Sequence, residues 1–239
     1  MWALKSVEVS LLNLSIDTNL DSRSMKDYVY QVLKKNIMEL RLKPGSPLKK
    51  EKISKELQVS VTPVREAFAK LAEDDLVDIL PQNGTYVSHI NIDRIIQAQF
   101  MRENLELAVI RIACEMDFPK DKLFKLQTLV KMQELLAEEE NLIQLFELDN
   151  QFHRLIFEGC HKKYVWEVLQ QAATHVDRIR VLSLTTFFNM KDIINDHQII
   201  LDAIKEKNAA LAEQVVKEHT NRIKIDIEKL REQYRDYFD

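Results

Sequence analysis

Apolar residues recur at helical spacing along most of this chain and alternate in only one short stretch, so the pattern predicts a helical protein with one small hairpin. From Met25 the positions Tyr28, Val29, Val32, Leu33, Ile37, Met38 and Leu40 predict a first helix running to about Leu40. Leu42-Lys43-Pro44-Gly45-Ser46-Pro47 breaks it, and Glu51, Ile53, Ser54 and Leu57 predict a short second helix. Beyond Gln58-Val59-Ser60, Thr62 offers a capping hydroxyl and Pro63 suits the first helical position, where no N–H is needed. That third helix turns Val64, Ala67, Phe68 and Leu71 inward. Val77-Asp78-Ile79-Leu80 and Thr85-Tyr86-Val87-Ser88 predict two strands joined through Asn83-Gly84, both of which tolerate positive φ. Three helices and a hairpin make a winged helix-turn-helix over residues 23–90. Residues 1–22 have no clear period and form an extension that either packs on the rest or is disordered.

From residue 91 to 239 the period stays helical, with helices expected at about 92–116, 119–138, 142–159, 162–184, 190–207 and 209–236. Short connections between helices make antiparallel neighbours. The fold class is therefore mainly α: an N-terminal winged helix-turn-helix followed by an all-α antiparallel bundle of about six helices.

Composition narrows the chemistry. The chain of 239 residues has 3 glycines and 5 prolines, where ordinary usage would give about 17 and 12. Gly45, Gly84 and Gly159 lie far apart, which excludes glycine-rich phosphate-binding loops. Cys114 and Cys160 form no CxxC pair and read as buried, structural thiols. With no long apolar run and no signal-peptide pattern, the expected location is the cytoplasm, away from membranes.

Charge divides unevenly. Residues 22–66 carry eleven Lys and Arg against five Asp and Glu, whereas residues 91–239 carry twenty-one against twenty-six. A basic block joined to an acidic one suggests that the former meets a polyanion; chance clustering is the plain alternative. In a winged helix the third helix enters the major groove and the wing follows the backbone or minor groove. Thr62, Arg65 and Glu66 would stand near the start of that helix, with Lys49, Lys50, Lys52 and Lys55 where phosphates pass. The same shape also serves protein-binding modules.

The bundle carries an anomaly on its inward faces. Asp149 and His153, i and i+4 neighbours, fall inside the stripe Leu142, Leu145, Phe146, Phe152 and Ile156. His197 sits among Ile193, Ile194, Ile200, Leu201 and Ile204, and His219 among Leu211, Val215, Ile223 and Ile227. A single histidine in an apolar stripe is ordinarily a hydrogen-bonded core residue. Three histidines and a carboxylate on three helices favour a divalent metal, whose charge offsets the cost of burying the carboxylate. The donors suit zinc, nickel, iron or manganese and do not choose among them. His175 shares its turn with Val176, an equally good inward candidate, and stands as a weak pocket residue.

Ser60-Val61-Thr62-Pro63-Val64-Arg65-Glu66-Ala67, with the Pro44-Gly45 turn and the wing Asn83-Gly84-Thr85-Tyr86-Val87, resembles the Ser-Arg-Thr-Pro-Val-Arg-Glu-Ala signature of the GntR family of bacterial transcriptional regulators. The resemblance implies DNA contacts by Ser60, Thr62, Pro63 and Arg65, with Asn83 and Gly84 at the wing. Val61 stands where the family has an arginine, so one usual contact is missing, and the lysines at 49, 50 and 52 replace at most its charge. The bundle is similar to the FCD ligand-sensing domain of the FadR-type branch, through Arg102-Glu103-Asn104-Leu105-Glu106, Asp149-Asn150-Gln151-Phe152-His153, Asp196-His197-Gln198-Ile199-Ile200 and Glu218-His219. That likeness implies one divalent ion per chain on Asp149, His153, His197 and His219, zinc or nickel before manganese or iron, with positions left open for a small carboxylate effector. Arg102, and Arg178 or Arg180, would pair with that carboxylate. For Arg102 the alternative is a surface i,i+4 pair with Glu106.

The expected function is a ligand-responsive repressor that binds a near-palindromic double-stranded DNA operator as a homodimer and senses a small organic acid. Two alternatives use the same His₃Asp centre: a metal-dependent enzyme, for which no convincing general base or nucleophile is evident, and a direct metal sensor.

Overall fold

The computed structural model describes residues 14–16, 24–187 and 190–239, and the chain divides into two compact units, one ending at Ile90 and the other running from Asn91 to Phe238. Of the predicted extension only Leu14-Ser15-Ile16 lies within the described residues. There the Asn36 side chain holds the Ser15 backbone at both of its polar groups, accepting its N–H at 2.8 Å and donating to its carbonyl at 3.0 Å.

In the first unit α1 (Met25–Met38) begins where Ser24 Oγ accepts the Asp27 N–H at 3.1 Å. It is followed by α2 (Lys50–Glu56) and α3 (Val61–Glu73). Val29, Leu33 and Ile37 of α1, Ile53 of α2 and Val64, Ala67 and Leu71 of α3 build one core, closed by Leu76 and Val87. The start of α3 differs from expectation. Ser60 holds the cap position without a side-chain hydrogen bond, Thr62 lies inside the first turn, and Pro63 is the third helical residue. A proline is tolerated there because none of the first four N–H groups of a helix has an intrahelical acceptor.

The wing pairs β1 (Val77–Leu80) antiparallel with β2 (Gly84–Val87), Val77 opposite Val87 and Leu80 opposite Gly84. Positive φ falls on Gln82 (66°) and Gly84 (115°) rather than on Asn83. The Asn83 N–H closes on the Leu80 carbonyl at 3.1 Å, which puts Pro81 and Gln82 at the centre of the turn. Proline first and positive φ second are the requirements of a type II turn.

The second unit is a bundle of α4 (Ile92–Glu115), α5 (Lys120–Glu138), α6 (Leu142–Gly159), α7 (Lys163–Ala172), α8 (Thr174–Phe187), α9 (Met190–Lys205) and α10 (Ala209–Gln233). The predicted helix over 162–184 is two helices, parted at Ala173. Neither glycine nor proline marks the break; what differs is the surroundings. α7 buries one face, with Trp166 and Leu169 inward, whereas residues 174–179 of α8 are buried on every side because α8 lies against α4, α6, α7 and α10. The predicted break over 185–189 overlaps residues 188–189, which lie outside the described residues.

With few glycines, the helices end on other residues in the left-handed region: Gln58, Asp75, Glu140, His161 and Lys207. At each, the next N–H reaches back five residues, as from Lys162 to the Phe157 carbonyl at 2.8 Å and from Asn208 to that of Ala203 at 2.8 Å. These bonds satisfy orphan carbonyls and hold the turn against its steric cost.

One glycine is required for packing. A Cβ on Gly159 would lie 2.2 Å from Cζ of the buried Phe118 ring. Gly159→Ala is therefore expected to destabilise the bundle by about 1–3 kcal/mol through overpacking, despite the helix preference of alanine. A urea midpoint unchanged from wild type would show that the ring moves aside at no cost.

Candidate metal centre and nucleic-acid interface

The apolar stripe of α6 places Asp149 and His153 one turn apart, and the stripes of α9 and α10 bring His197 and His219 to the same point. One ligand atom from each of Asp149, His153, His197 and His219 lies within 4.8 Å of all the others, and all four residues are buried. Phe152 stacks on the His197 ring with centroids 4.2 Å apart.

Each imidazole is held at its other nitrogen. His153 Nδ1 is 2.9 Å from Glu106 Oε2, His197 Nδ1 is 2.8 Å from Gln133 Oε1, and His219 Nδ1 is 3.3 Å from Asp196 Oδ2. Oxygen acceptors at these positions keep the ring hydrogen on Nδ1 and leave the Nε2 lone pairs facing inward. His153 Nε2 and His219 Nε2 then approach to 3.2 Å, and His197 Nε2 is buried without a hydrogen-bond partner, 3.5 Å from Asp149 Oδ1. Lone pairs crowded this closely repel unless a proton or a cation lies among them. Burial holds the His197 and His219 imidazoles below their ordinary range, which disfavours the proton. Burial alone would push the Asp149 carboxyl up, but the Arg180 guanidinium keeps it well below the usual carboxylate range, so it is an anionic donor. The residues fit a divalent transition ion: three imidazole nitrogens and a carboxylate oxygen, each backed by a second residue.

Arg102 makes the i,i+4 pair with Glu106, Nε to Oε1 at 2.6 Å, but the pair is buried rather than on the surface. Its Nη2 is buried with no hydrogen-bond partner, and Arg102 lines a cavity beside the histidines together with Arg180. Arg180 donates to Asn150 at 2.9 Å and Asp177 at 2.8 Å, and also to Asp149. Arg178 and His175 are buried in α8 and do not line that cavity; His175 Nδ1 accepts the Asn91 N–H at 3.3 Å, at the start of α4. Sequence reading missed the orienting roles of Glu106, Gln133 and Asp196. Asp196 is also gripped by Arg222, Nε to Oδ2 and Nη2 to Oδ1 both at 3.0 Å. The available signal was local: a carboxylate beside His197, and Glu106 one turn from Arg102.

In the first unit Lys49, Lys50, Lys52, Ser60, Thr62 and Arg65 are exposed, as are Asn83 and Gly84 at the wing, while Pro63 is half-buried. Lys49 and Lys50 share a surface cleft with Asn83 and Gly84, so the positive start of α2 stands next to the wing.

Residues 25–87 match the gntR family of bacterial regulatory proteins and residues 97–222 match the FCD domain. The chain is 28% identical over 226 residues to the HTH-type transcriptional repressor RspR of Escherichia coli, covering 94% of this chain and 99% of that one. It is 30% identical over 212 residues to an uncharacterized HTH-type transcriptional regulator of Streptomyces ambofaciens, covering 88% of each. Among solved structures, E. coli McbR/YncC gives a TM-score of 0.73 at 21% identity, covering 89% of this chain and 100% of that one. A GntR regulator from Rhodococcus sp. RHA1 gives 0.72 at 20%, covering 85% and 97%. These two likenesses show the fold. No helix among the described residues is long and apolar enough to cross a membrane. The matched families and relatives are regulators rather than enzymes. The chain thus belongs to the gntR family of bacterial regulatory proteins, a transcription regulator that joins a winged helix-turn-helix for DNA to a helical FCD domain for a small-molecule effector.

Proposed function

We propose that this regulator is a cytoplasmic repressor that binds a near-palindromic operator as a homodimer through residues 25–88 and is controlled by a small organic acid beside a divalent ion at Asp149, His153, His197 and His219. The observation that carries the effector reading is the set of three imidazoles whose Nδ1 atoms are all engaged by oxygens while their Nε2 atoms converge. An ion held there, zinc or nickel before manganese or iron, would supply a Lewis-acidic seat for a carboxylate. Arg102 offers its bare Nη2 to the same carboxylate, and Arg180 keeps Asp149 ionised. Repression is supported by the relative RspR, which is named as a transcriptional repressor.

The test is a thermal-shift screen of the metal-loaded chain against small organic and sugar acids, since a ligand of the folded state raises its melting temperature. An acid that shifts the melt should also change operator affinity, and operator should change affinity for the acid by the same factor. A metal-loaded chain that no acid shifts would overturn the effector reading and leave DNA binding standing.

On the DNA side, Arg65→Ala is expected to weaken operator binding by about 1–3 kcal/mol if the guanidinium reads a base edge. Lys50→Ala should instead lower affinity for all sequences alike and flatten the salt dependence. Mobility shifts at several salt concentrations separate the two, and an Arg65→Ala variant that binds like wild type would remove Arg65 from the interface.

A further inference from the structure

α3 buries Val64, Ala67, Phe68 and Leu71, so the face turned outward begins with Val61 and Thr62 and continues one turn later with Arg65 and Glu66. The helix has two cations, Arg65 and Lys70. Lys70 is turned to α1, where it lies over the Tyr30 ring at 4.1 Å and pairs with Asp27 at 3.7 Å, while Arg65 is exposed.

Folding does not explain an apolar residue at Val61. It is half-buried. Among the described residues, the half-buried ones that pack against the core of this unit are Tyr28, Met38, Val59 and Ala72, and Val61 is not one of them. As the first residue of α3 it brings no gain in helix formation either, because its side chain is β-branched.

In a helix-turn-helix the first residues of the second helix meet base edges in the major groove. A guanidinium there suits guanine, whose N7 and O6 accept two hydrogen bonds. Valine has neither donor nor acceptor, so it tells base pairs apart only by apolar surface, and the apolar group on a major-groove edge is the thymine C5 methyl. Opposite Val61 the polar edge of any other base would lose water without gaining a partner. Val61 and Arg65 are four residues apart on one face, about 6 Å along the axis, and successive base pairs lie about 3.4 Å apart. The two side chains therefore meet base pairs about two steps apart.

We infer that Val61 is a specificity residue that reads a thymine methyl, so that each half of the operator carries a T·A pair about two steps from the pair met by Arg65. This rests on the proposed operator binding through residues 25–88 and is independent of the effector site.

The experiment selects binding sequences from a pool of random DNA duplexes with the full chain. Each thymine of the selected sequence is then replaced in turn by deoxyuridine, which removes the methyl and keeps the base pair. In mobility shifts at one salt concentration, replacing one thymine in each half-site should weaken wild-type binding about fourfold, the worth of one methyl group withdrawn from water, about 0.8 kcal/mol. In Val61→Ala, whose side chain is too short to reach the methyl, the same replacement should cost less than about 1.5-fold, the mark of two groups that act through each other. Thymine and uracil are compared within each variant, so a change in folded fraction cancels. Unchanged wild-type affinity at every thymine, or an equal loss in wild type and Val61→Ala, overturns the assignment and leaves operator binding standing. A full chain that enriches no sequence overturns the operator reading and this assignment together.

Discussion

Replacing His219 by alanine is expected to remove most of the divalent ion from the purified chain and to lower its melting temperature by roughly 10 °C relative to the metal-loaded wild type. The donors come from α6, α9 and α10, so an ion among them cross-links three separate helices. Its binding energy is then folding energy. An ion present at a thousand times its dissociation constant stabilises the folded state by about 4 kcal/mol, and a unit of this size loses about 2–4 °C per kcal/mol. His197→Ala should behave alike. Because either substitution also leaves a cavity, the decisive comparison is chelation: a chelator should lower the wild-type melting temperature and leave that of His219→Ala nearly unchanged. Elemental analysis of gently purified protein should give about one transition ion per chain. A wild type that contains no ion and takes up neither zinc, nickel, manganese nor iron would reduce the four residues to a hydrogen-bonded cluster.

Arg102→Ala should destabilise the bundle by about 3–5 kcal/mol, the cost of leaving a buried charge without its partner. Glu106 is 4% exposed, and although burial opposes its ionisation, Arg102 and then His153 hold it below the usual carboxylate range. Removing the guanidinium leaves that carboxylate with only the His153 N–H. The paired substitution Arg102→Met with Glu106→Leu should recover most of the lost stability, since an apolar pair of similar volume avoids the buried charges altogether. It should not recover metal binding. His153 Nδ1 would have lost its acceptor at 2.9 Å, and loss of such an outer contact weakens metal affinity by about 10–100-fold. Urea unfolding of the metal-free variants reads the first effect, and metal titration against a competing chelator reads the second. A single variant that loses less than about 1 kcal/mol would show that water reaches Glu106 and that the pair is not a structural necessity.

The helices and the wing were legible because their signals are local. Periodic apolar positions mark which residues fold inward. His197 and His219 stand out for the same reason, as polar residues in otherwise apolar stripes, and the i,i+4 spacing of Asp149 and His153 puts both on one face of α6. What failed was equally local in appearance but decided elsewhere. The start of α3 moved to Val61, the positive φ moved from Asn83 to Gln82, and one helix became α7 and α8. Capping residues and turn formers suit several neighbouring positions, and packing selects among them.

The sequence by itself determined the element types, the split between a basic helix-turn-helix and an acidic bundle, and the donor residues offered to a metal. Only the tertiary structure decided which oxygens face the other side of each imidazole, that the Arg102 pair with Glu106 is buried, and that Arg180 rather than Arg178 lines the cavity. The physical reason is that periodicity fixes a side chain to one face of its own helix. Its partner across the bundle depends on the rotation and axial offset of two packed helices, and the ridges and grooves of their facing side chains set those two quantities.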